Sequence, residues 1–434
     1  MRVLGRTLPL GAALVIMYAL SRVLSTGFLL LAWAIPHHQP HAYLEPGPGF
    51  SGFLTSWDAL WYRQIALHGY PPHLPLFPNG DVSYNAWAFF PVYPAIVRGV
   101  MTVTTLPFEI AGPLVSTIAG GAAVFAVHRV VRMRFGTRAA WWAAVFFAFG
   151  PMSWILQLAY AESLFLFLLF WAIAAMMRRR YLVMIPFAVL ASFTHPGALA
   201  LGAALVIKAI VRLARRQPIG ARHWAGALSA IVVVLAAGIA WPLIAAGVTG
   251  DPSAYFDTEF AWWQDFIGRT LLIPFTPAFV LYQRLLGVWG VVLVAAVLIG
   301  FAALMVSRTG RRLGTDLWAF VFGYVGYLAA VFLPTQSLIR LLMPLSPLFG
   351  HPFFTGSPRR RWISFALGVA LQLPAIELLW VAFPRRRPRC ENMGAWSSAT
   401  SRTSSTRSPR RTSSRRATPG RRTCVLTTGR SRMP

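Results

Sequence analysis

The chain has 434 residues, of which 56% are hydrophobic and 12% charged, with a mean hydropathy of +0.58. A water-soluble fold cannot bury that much apolar surface, whereas a bilayer can, because each crossing takes about 20 mostly apolar residues. The composition therefore excludes a string of soluble domains and predicts an all-α polytopic membrane protein. The formal charge of +28 is no sign of nucleic acid, because it is clustered. Residues 385–434 hold fourteen arginines against a single acid, Glu391. Most of the remaining excess lies in short groups between apolar runs, as in cytoplasmic loops. Both cysteines, Cys390 and Cys424, fall in that tail, so the body can form neither a disulfide nor a thiolate metal site.

Arg2 and Arg6 precede a first apolar run, Leu8 to Ile35. It lacks a cleavage motif and reads as a retained span with its N-terminus in the cytoplasm. Residues 36–109 form a large outer loop poor in arginine, in which 92–106 reads as an interfacial helix. Spans are expected at about 110–128, 140–156 and 163–177, with arginine clusters at 129–138 and 178–180 on the inner side. Between 181 and 211, two short helices meeting at Thr194-His195-Pro196-Gly197 keep Lys208, Arg212, Arg215 and Arg216 inside. Broken helices at membrane depth must line protein or a cavity, so this turn is expected to face one. Further spans are expected at 224–247, 286–306, 317–333, 338–352 and 362–383, about eleven in all. A second outer loop, 248–285, carries Asp251, Asp257, Glu259 and Asp265. The tail, 384–434, is Ser/Thr/Arg/Pro low-complexity and reads as disordered or as the product of a frame change near Phe383.

Within the first loop, Ser56 to Gly69 reads as one short helix with Ser56 as N-cap and Gly69 as its stop. Trp57, Leu60, Trp61 and Ile65 share a face suited to the membrane interface. Asp58 and Tyr62 lie one turn apart. Asp58 is a candidate active-site acid, although an acid in the first turn also favours the helix dipole with no further role. Trp57 and Trp61 read equally as interfacial anchors. A run of aromatics between prolines, Asn85-Ala86-Trp87-Ala88-Phe89-Phe90-Pro91-Val92-Tyr93-Pro94, follows downstream. Aromatic faces beside a carboxylate at a membrane cavity suit a sugar carried on a lipid.

Ser56-Trp57-Asp58, Ile65-Ala66, Gly69-Tyr70 and Ala88-Phe89-Phe90-Pro91-Val92-Tyr93-Pro94 together resemble the PIG-V-like mannosyltransferases. The resemblance continues through Phe149-Gly150-Pro151, Tyr160-Ala161-Glu162-Ser163, Ala191-Ser192-Phe193-Thr194-His195-Pro196-Gly197 and Arg340-Leu341-Leu342-Met343-Pro344. It covers most of residues 1–383 and none of the tail. It implies a GT-C-like bundle whose first outer loop places a catalytic aspartate over a membrane cavity. It also implies a polyprenyl-phosphate-mannose donor. Where this chain has His195, many relatives carry arginine; a histidine can be neutral at pH 7.

Transfer from a polyprenyl phosphate needs less than glycoside hydrolysis, because phosphate leaves as a stable anion without an acid to protonate it. One carboxylate to take the acceptor's proton, plus cations for the phosphate, is sufficient. These considerations assign Asp58 as general base, with inversion. Arg340 is the candidate for the lipid phosphate, since arginine at membrane depth needs a role and its fork suits phosphate; snorkelling to the interface is the plain alternative. His195 is a second phosphate candidate or a polar residue of its turn. Tyr160 and Glu162 are candidates to orient acceptor hydroxyls, although Glu162 could instead pair with an arginine. Trp262 and Trp263 are either an acceptor platform or interfacial anchors. With no Asp-x-Asp pair and no His/acid cluster at ligand spacing, the activity is expected to need no metal and no cofactor. The expected partners are the lipid-linked donor, a glycolipid or lipoglycan acceptor, and the bilayer, with no nucleic acid. The expected location is a bacterial plasma membrane, with the site facing outward. Three rivals stand beside this reading: a transferase for another polyprenyl-linked sugar such as arabinose, a lipid flippase or transporter, and a non-catalytic partner subunit of a glycosyltransferase complex. Flippases and transporters often show repeated halves with broken helices, and no internal repeat is visible here.

Overall fold

The computed structural model describes residues 2–3, 6–35, 47–216, 220–268, 270 and 273–381. The chain divides into Met1–Pro384 and Arg385–Pro434. The expected low-complexity tail, 384–434, and the start of the first loop, 36–46, lie outside the described residues.

A two-residue hairpin pairs Arg2–Val3 with Arg6–Thr7, and a lone bridge joins Leu76 to Val82; the regular structure is otherwise helical among the described residues. Helix α1 (Leu10–Ala34) is followed by the first loop with α2 (Gly49–Leu54), α3 (Asp58–His68) and α4 (Val92–Thr104). Next come α5 (Phe108–Phe135), α6 (Thr137–Phe149), α7 (Glu162–Met177), α8 (Tyr181–Ser192), α9 (Leu199–Ala214) and α10 (Ala221–Thr249). The second loop holds α11 (Ala254–Ala261), α12 (Gln264–Ile267) and α13 (Pro277–Leu286). The chain then runs through α14 (Val288–Val306), α15 (Arg308–Arg311), α16 (Gly314–Val331), α17 (Leu338–Leu341), α18 (Pro352–Thr355), α19 (Pro358–Ala370) and α20 (Gln372–Ile376). A π-helical turn, Glu377–Val381, follows.

Among the described residues, six helices are long and apolar enough to cross a membrane: α1, α5, the segment Pro196–Ala214, α10, α14 and α16. The pair formed by α19 and Gln372–Val381, bent by 41°, makes a seventh. Alpha-helical rise makes α1 roughly 37 Å long, more than a hydrocarbon core of about 30 Å. Large side chains such as Val232 and Leu243 on α10, and Trp289 and Ile299 on α14, are exposed. In water such a belt would be a liability; facing lipid it is neutral.

Several expected spans are not single crossing helices: 362–383 is the bent pair, and 163–177 is the 16-residue α7. α6 ends at Phe149 and gives way to a 3₁₀ turn, Ser153–Gln157; at 13 residues it is too short to cross alone. The stretch 338–352 breaks after α17 into a 3₁₀ segment, Met343–Gly350, because Pro344 and Pro347 cannot donate to the helix ladder. α4, α7 and α8 are shorter apolar helices. The break at 194–197 forms as expected: Pro196 starts a 3₁₀ turn, and His195 Nδ1 accepts its Gly197 N–H at 3.0 Å.

The centre of the bundle is α5 packed on α6 and α7, with α9 against α16. Small residues permit the close approach. A Cβ on Gly120 would lie 2.5 Å from the Tyr18 hydroxyl, and one on Gly112 would lie 2.8 Å from Ala159. Two buried cations tie helices together. Lys208, 2% exposed, is not a loop charge; it pairs with Asp316 of α16 and donates to the Met176 carbonyl at 2.9 Å. Arg22 of α1 donates to the carbonyls of Ser153 (2.6 Å) and Ala148 (2.9 Å) and to Gln157 Oε1 (3.3 Å). It thereby fixes the 3₁₀ turn that follows α6. On the side of the arginine clusters, Arg134 grips the Arg312 carbonyl at 2.6 and 2.9 Å, joining the end of α5 to the segment after α14.

Candidate active site

Asp58 opens α3, but Ser56 is not its cap. The N-cap is Trp57, with φ 59° and ψ −124°, and it makes no side-chain capping bond. The Ser56 hydroxyl instead donates to the Gly52 carbonyl at 2.9 Å. The Ala59 N–H reaches the Ser56 carbonyl at 3.3 Å. This is the geometry of a type II′ turn with tryptophan where glycine is normally required. Such a backbone costs on the order of 1–3 kcal/mol and survives only where its surroundings over-determine it. Here the Trp57 indole donates to the Trp380 carbonyl at 3.1 Å, and Trp380 donates to the Phe53 carbonyl at 3.1 Å. Gly69 ends α3 as expected, with φ 77° and its N–H on the Ile65 carbonyl.

The apolar face of α3 does not lie in the membrane interface. Leu60, Trp61, Tyr62 and Ile65 are buried inside the protein. Trp61 stacks on Phe89 at 5.9 Å and meets Trp262 edge-on. Tyr62 is wedged between Phe89 and Tyr93. That burial, with the nearby Glu162 and Asp58 charges, pushes the Tyr62 phenol well above its ordinary range. Of the two expected interfacial anchors, Trp61 is therefore a core residue, drawn inward by the aromatic run 87–93, whereas Trp57 is half-buried on the wall of a cleft. Arg63, on the outer side of α3, pairs with Glu109 at 2.9 Å and ties the helix to the start of α5.

With α3 held in this way, Asp58 faces Arg340. Asp58 Oδ2 lies 2.5 Å from Arg340 Nη2, and Glu162 Oε1 lies 3.3 Å from Nη1. Of the two readings open for Glu162, pairing with arginine is the one this geometry displays. The guanidinium also sits over the Tyr160 ring, 5.3 Å from its centre. Burial alone would lower the arginine's pKa, but the two carboxylates more than reverse this and raise it, so it stays charged. Arg340 is positioned from behind by Tyr324 of α16, whose hydroxyl donates to the Leu341 carbonyl at 2.7 Å. The Tyr160 hydroxyl accepts the Asp58 backbone N–H at 3.2 Å. Burial and the Asp58 charge raise its pKa well above the usual phenol range, so it remains a neutral hydrogen-bonding group.

Four of the seven sequence candidates, Trp57, Asp58, Tyr160 and Arg340, line one cleft of about 80 Å³, together with Trp154, Gln336, Ser337 and Trp380 among others. Glu162 stands behind Arg340 and is 8% exposed, whereas the side chains of Asp58 and Arg340 keep 27% and 23% exposure. Tyr62 and His195 flank the cluster without lining the cleft. The His195 ring stacks on Phe165 at 4.6 Å. Its pKa is pushed down to about 3, by burial first and by the Arg340 charge second. It therefore contributes no positive charge at neutral pH. Trp154 and Trp380 carried no pattern that marked them: each is an isolated tryptophan in an apolar run. Among the described residues, the Trp154 indole N–H and Arg340 Nε–H have no hydrogen-bond partner. Trp262 is packed among Trp61, Tyr84 and Phe89 rather than anchored in lipid. Among the described residues, no three His, Cys, Asp or Glu side chains gather in a metal-binding arrangement.

No family model matches the sequence, and no curated protein matches it. Among solved structures it is similar to the oligosaccharyltransferase of Archaeoglobus fulgidus in complex with zinc and sulfate, at 15% identity and a TM-score of 0.35. It is similar at 13% identity and the same TM-score to the archaeal oligosaccharyltransferase AglB from that organism, bound to an inhibitory peptide and a dolichol-phosphate. Each alignment covers 84% of this chain and about half of the other, 49% and 50% respectively. At that degree of overlap, the chemistry of the cleft itself must carry any functional reading.

Proposed function

We propose that this chain is a membrane glycosyltransferase that moves mannose from a polyprenyl-phosphate donor to a glycolipid or lipoglycan acceptor. The observation that carries the reading is the trio of Asp58, Arg340 and Glu162. It is a cleft-facing carboxylate bonded to an arginine that a second, buried carboxylate holds in place. The sequence resemblance to PIG-V-like mannosyltransferases supports mannose as the sugar and a GT-C-like bundle as the frame.

In this mechanism the donor phosphate enters the cleft and competes with Asp58 for Arg340. A guanidinium binds phosphate through paired N–H groups, so the exchange keeps its charge satisfied. Asp58 is thereby released to accept the proton of the acceptor hydroxyl. The acceptor oxygen forms its bond to the anomeric carbon from the face opposite the phosphate. The carbon–oxygen bond to phosphate breaks, the electron pair leaves with polyprenyl phosphate, and the anomeric configuration inverts. Glu162 keeps Arg340 oriented throughout, and the Trp57 and Trp380 rings give the sugar apolar faces.

The test is transfer of radiolabelled mannose from polyprenyl-phosphate-mannose to lipids of the native membrane. Removing a general base is expected to cost about 100-fold or more, so Asp58→Asn and Asp58→Ala should lose nearly all transfer. Variants as active as wild type would remove Asp58 from the chemistry, and a wild-type protein that transfers no mannose would remove the sugar assignment.

The activity is proposed to be metal-independent, since arginine supplies the charge for the leaving phosphate. Full activity in excess chelator is the expected result; complete loss that an added divalent cation restores would contradict it. The arginine clusters at 129–138, 178–180 and 359–361 mark the cytoplasmic side of what is proposed to be a bacterial plasma membrane, with the cleft opening outward.

A further inference from the structure

Among the described residues, three tryptophans line the cleft: Trp57, Trp154 and Trp380. The indoles of Trp57 and Trp380 donate to the Trp380 and Phe53 carbonyls, each at 3.1 Å. Buried indoles outside the cleft are bonded in the same way. Trp87 donates to the Pro71 carbonyl at 3.0 Å, and Trp241 donates to the Trp87 carbonyl at 3.1 Å. Trp154 differs. It is 1% exposed, and its N–H meets no acceptor among the described residues. A buried donor left unpaired forfeits the hydrogen bond it makes to water in the unfolded chain, so folded proteins satisfy nearly all of them. The surroundings hold Trp154 where it is. It lies in the 3₁₀ turn Ser153–Gln157, which Arg22 clamps through the Ser153 carbonyl and Gln157 Oε1. Trp380 packs edge-on against its ring at 5.6 Å. An unpaired donor fixed on the wall of a substrate cleft has the substrate as its natural partner.

Resting on the transferase reading, we propose that Trp154 is a substrate-binding residue whose indole N–H donates to a hydroxyl of the sugar carried by the donor phosphate. The phosphate itself has a separate partner. Glu162 holds Nη1 of Arg340 and Asp58 holds Nη2, while the Nε–H is unpartnered among the described residues. Nε and Nη2 form one edge of the guanidinium, the edge that a phosphate grips through two parallel bonds once Asp58 yields. Trp154 is set apart from that edge. Trp380 meets the Trp154 ring at 5.6 Å and the Tyr160 ring at 5.5 Å, and the guanidinium sits over Tyr160. The packing therefore runs from Arg340 through Tyr160 and Trp380 to Trp154, and the indole at the far end of that row meets the sugar rather than the phosphate. Its chemistry agrees. An indole is neutral and only donates, which suits a hydroxyl oxygen and gives it no part in moving a proton. Ligand sites commonly combine aromatic walls with a few placed polar groups that fix orientation. Here the walls are the three tryptophans, and the Trp154 N–H is such a group.

The experiment uses purified full-length protein in detergent, with radiolabelled polyprenyl-phosphate-mannose as donor and a lipid extract of the native membranes as acceptor. Sugar-free polyprenyl phosphate serves as competitor. Trp154→Phe keeps an aromatic ring and removes the N–H. It is expected to raise the KM for the donor about fivefold, within the worth of one neutral hydrogen bond, while the Ki for polyprenyl phosphate keeps its wild-type value. Arg340→Lys, by contrast, should weaken both. An unchanged donor KM in Trp154→Phe, with wild type active and Asp58→Asn inactive, overturns this proposal alone. So does an equal rise in donor KM and in Ki, which would put the N–H on the phosphate. A second variant carries benzothienylalanine at position 154, with sulfur in place of the indole N–H and nearly the same shape. It should show the same split and melt no lower than wild type, because no bond within the protein is lost. A clear fall in its melting temperature would give the N–H a partner inside the folded chain and overturn the proposal. If Trp154→Phe does not fold, the benzothienylalanine protein decides by the same two constants. Absence of transfer by wild type, or full activity in Asp58→Asn, overturns the transferase reading and this inference with it.

Discussion

Arg340 answers to two carboxylates that do different work, and substitutions separate them. Asp58 is partly exposed and faces the cleft, whereas Glu162 is buried. Arg340→Ala would leave both without a counter-charge. Breaking a buried ion pair from one side costs about 3–5 kcal/mol; because two of these three groups keep roughly a quarter of their side-chain surface, the low end applies. Arg340→Ala is therefore expected to lower the melting temperature in detergent markedly, and to abolish transfer. Arg340→Lys keeps the charge but loses the fork, so it should melt near wild type while its KM for the donor rises about tenfold. Equal KM in wild type and Arg340→Lys would show that the arginine is structural and does not bind the phosphate. Residue identity alone made Asp58 and Arg340 visible, since charge at membrane depth is costly without a purpose. It could not reveal their pairing across 282 positions of chain, nor the left-handed backbone at Trp57, which no tryptophan would adopt by preference.

At the scale of helices, what could be read depended on whether a segment's own pattern decided its structure. Long apolar stretches between arginine clusters, such as those of α5, α10 and α14, were legible because length and hydropathy suffice. So was the break before Pro196, since proline cannot continue a helix ladder and its predecessor avoids helical backbone. Legibility failed where tertiary contacts chose among options. The face of α3 with Trp61 and Ile65 has the spacing of an interfacial helix, and the same spacing serves a helix buried on both sides. Only the aromatic run 87–93 and Trp262, folded over it from two loops, decide the matter. The stretch 338–352 was apolar enough to suggest a crossing, but Pro344 and Pro347 turned it into a 3₁₀ segment that keeps Arg340 at the cleft.

At the scale of the whole bundle, Met1–Pro384, two chemistries are kept apart in the chain. The cleft is lined by Trp57 and Asp58 from the first loop, Trp154 and Tyr160 from the stretch between α6 and α7, Arg340 of α17 and Trp380. The arginines gather at the ends of α5, α7 and α9 and at the start of α19, and the grip of Arg134 on the Arg312 carbonyl ties the end of α5 to the segment after α14. The positive-inside rule turns that polarity into an orientation, and the orientation can be tested without knowing the substrate. Cys390 and Cys424 are the only cysteines, so replacing both with serine gives a clean background. Asn79 lies exposed in the first loop and Arg360 lies exposed at the start of α19. In intact cells, a membrane-impermeant maleimide should label Asn79→Cys and leave Arg360→Cys unlabelled until the cells are permeabilised. The reverse pattern would turn the cleft toward the cytoplasm, where its donor would have to be supplied from the inner leaflet. That result would leave the Asp58–Arg340 chemistry standing but remove the outward-facing acceptor, because the acceptor's location follows from the side on which the cleft opens.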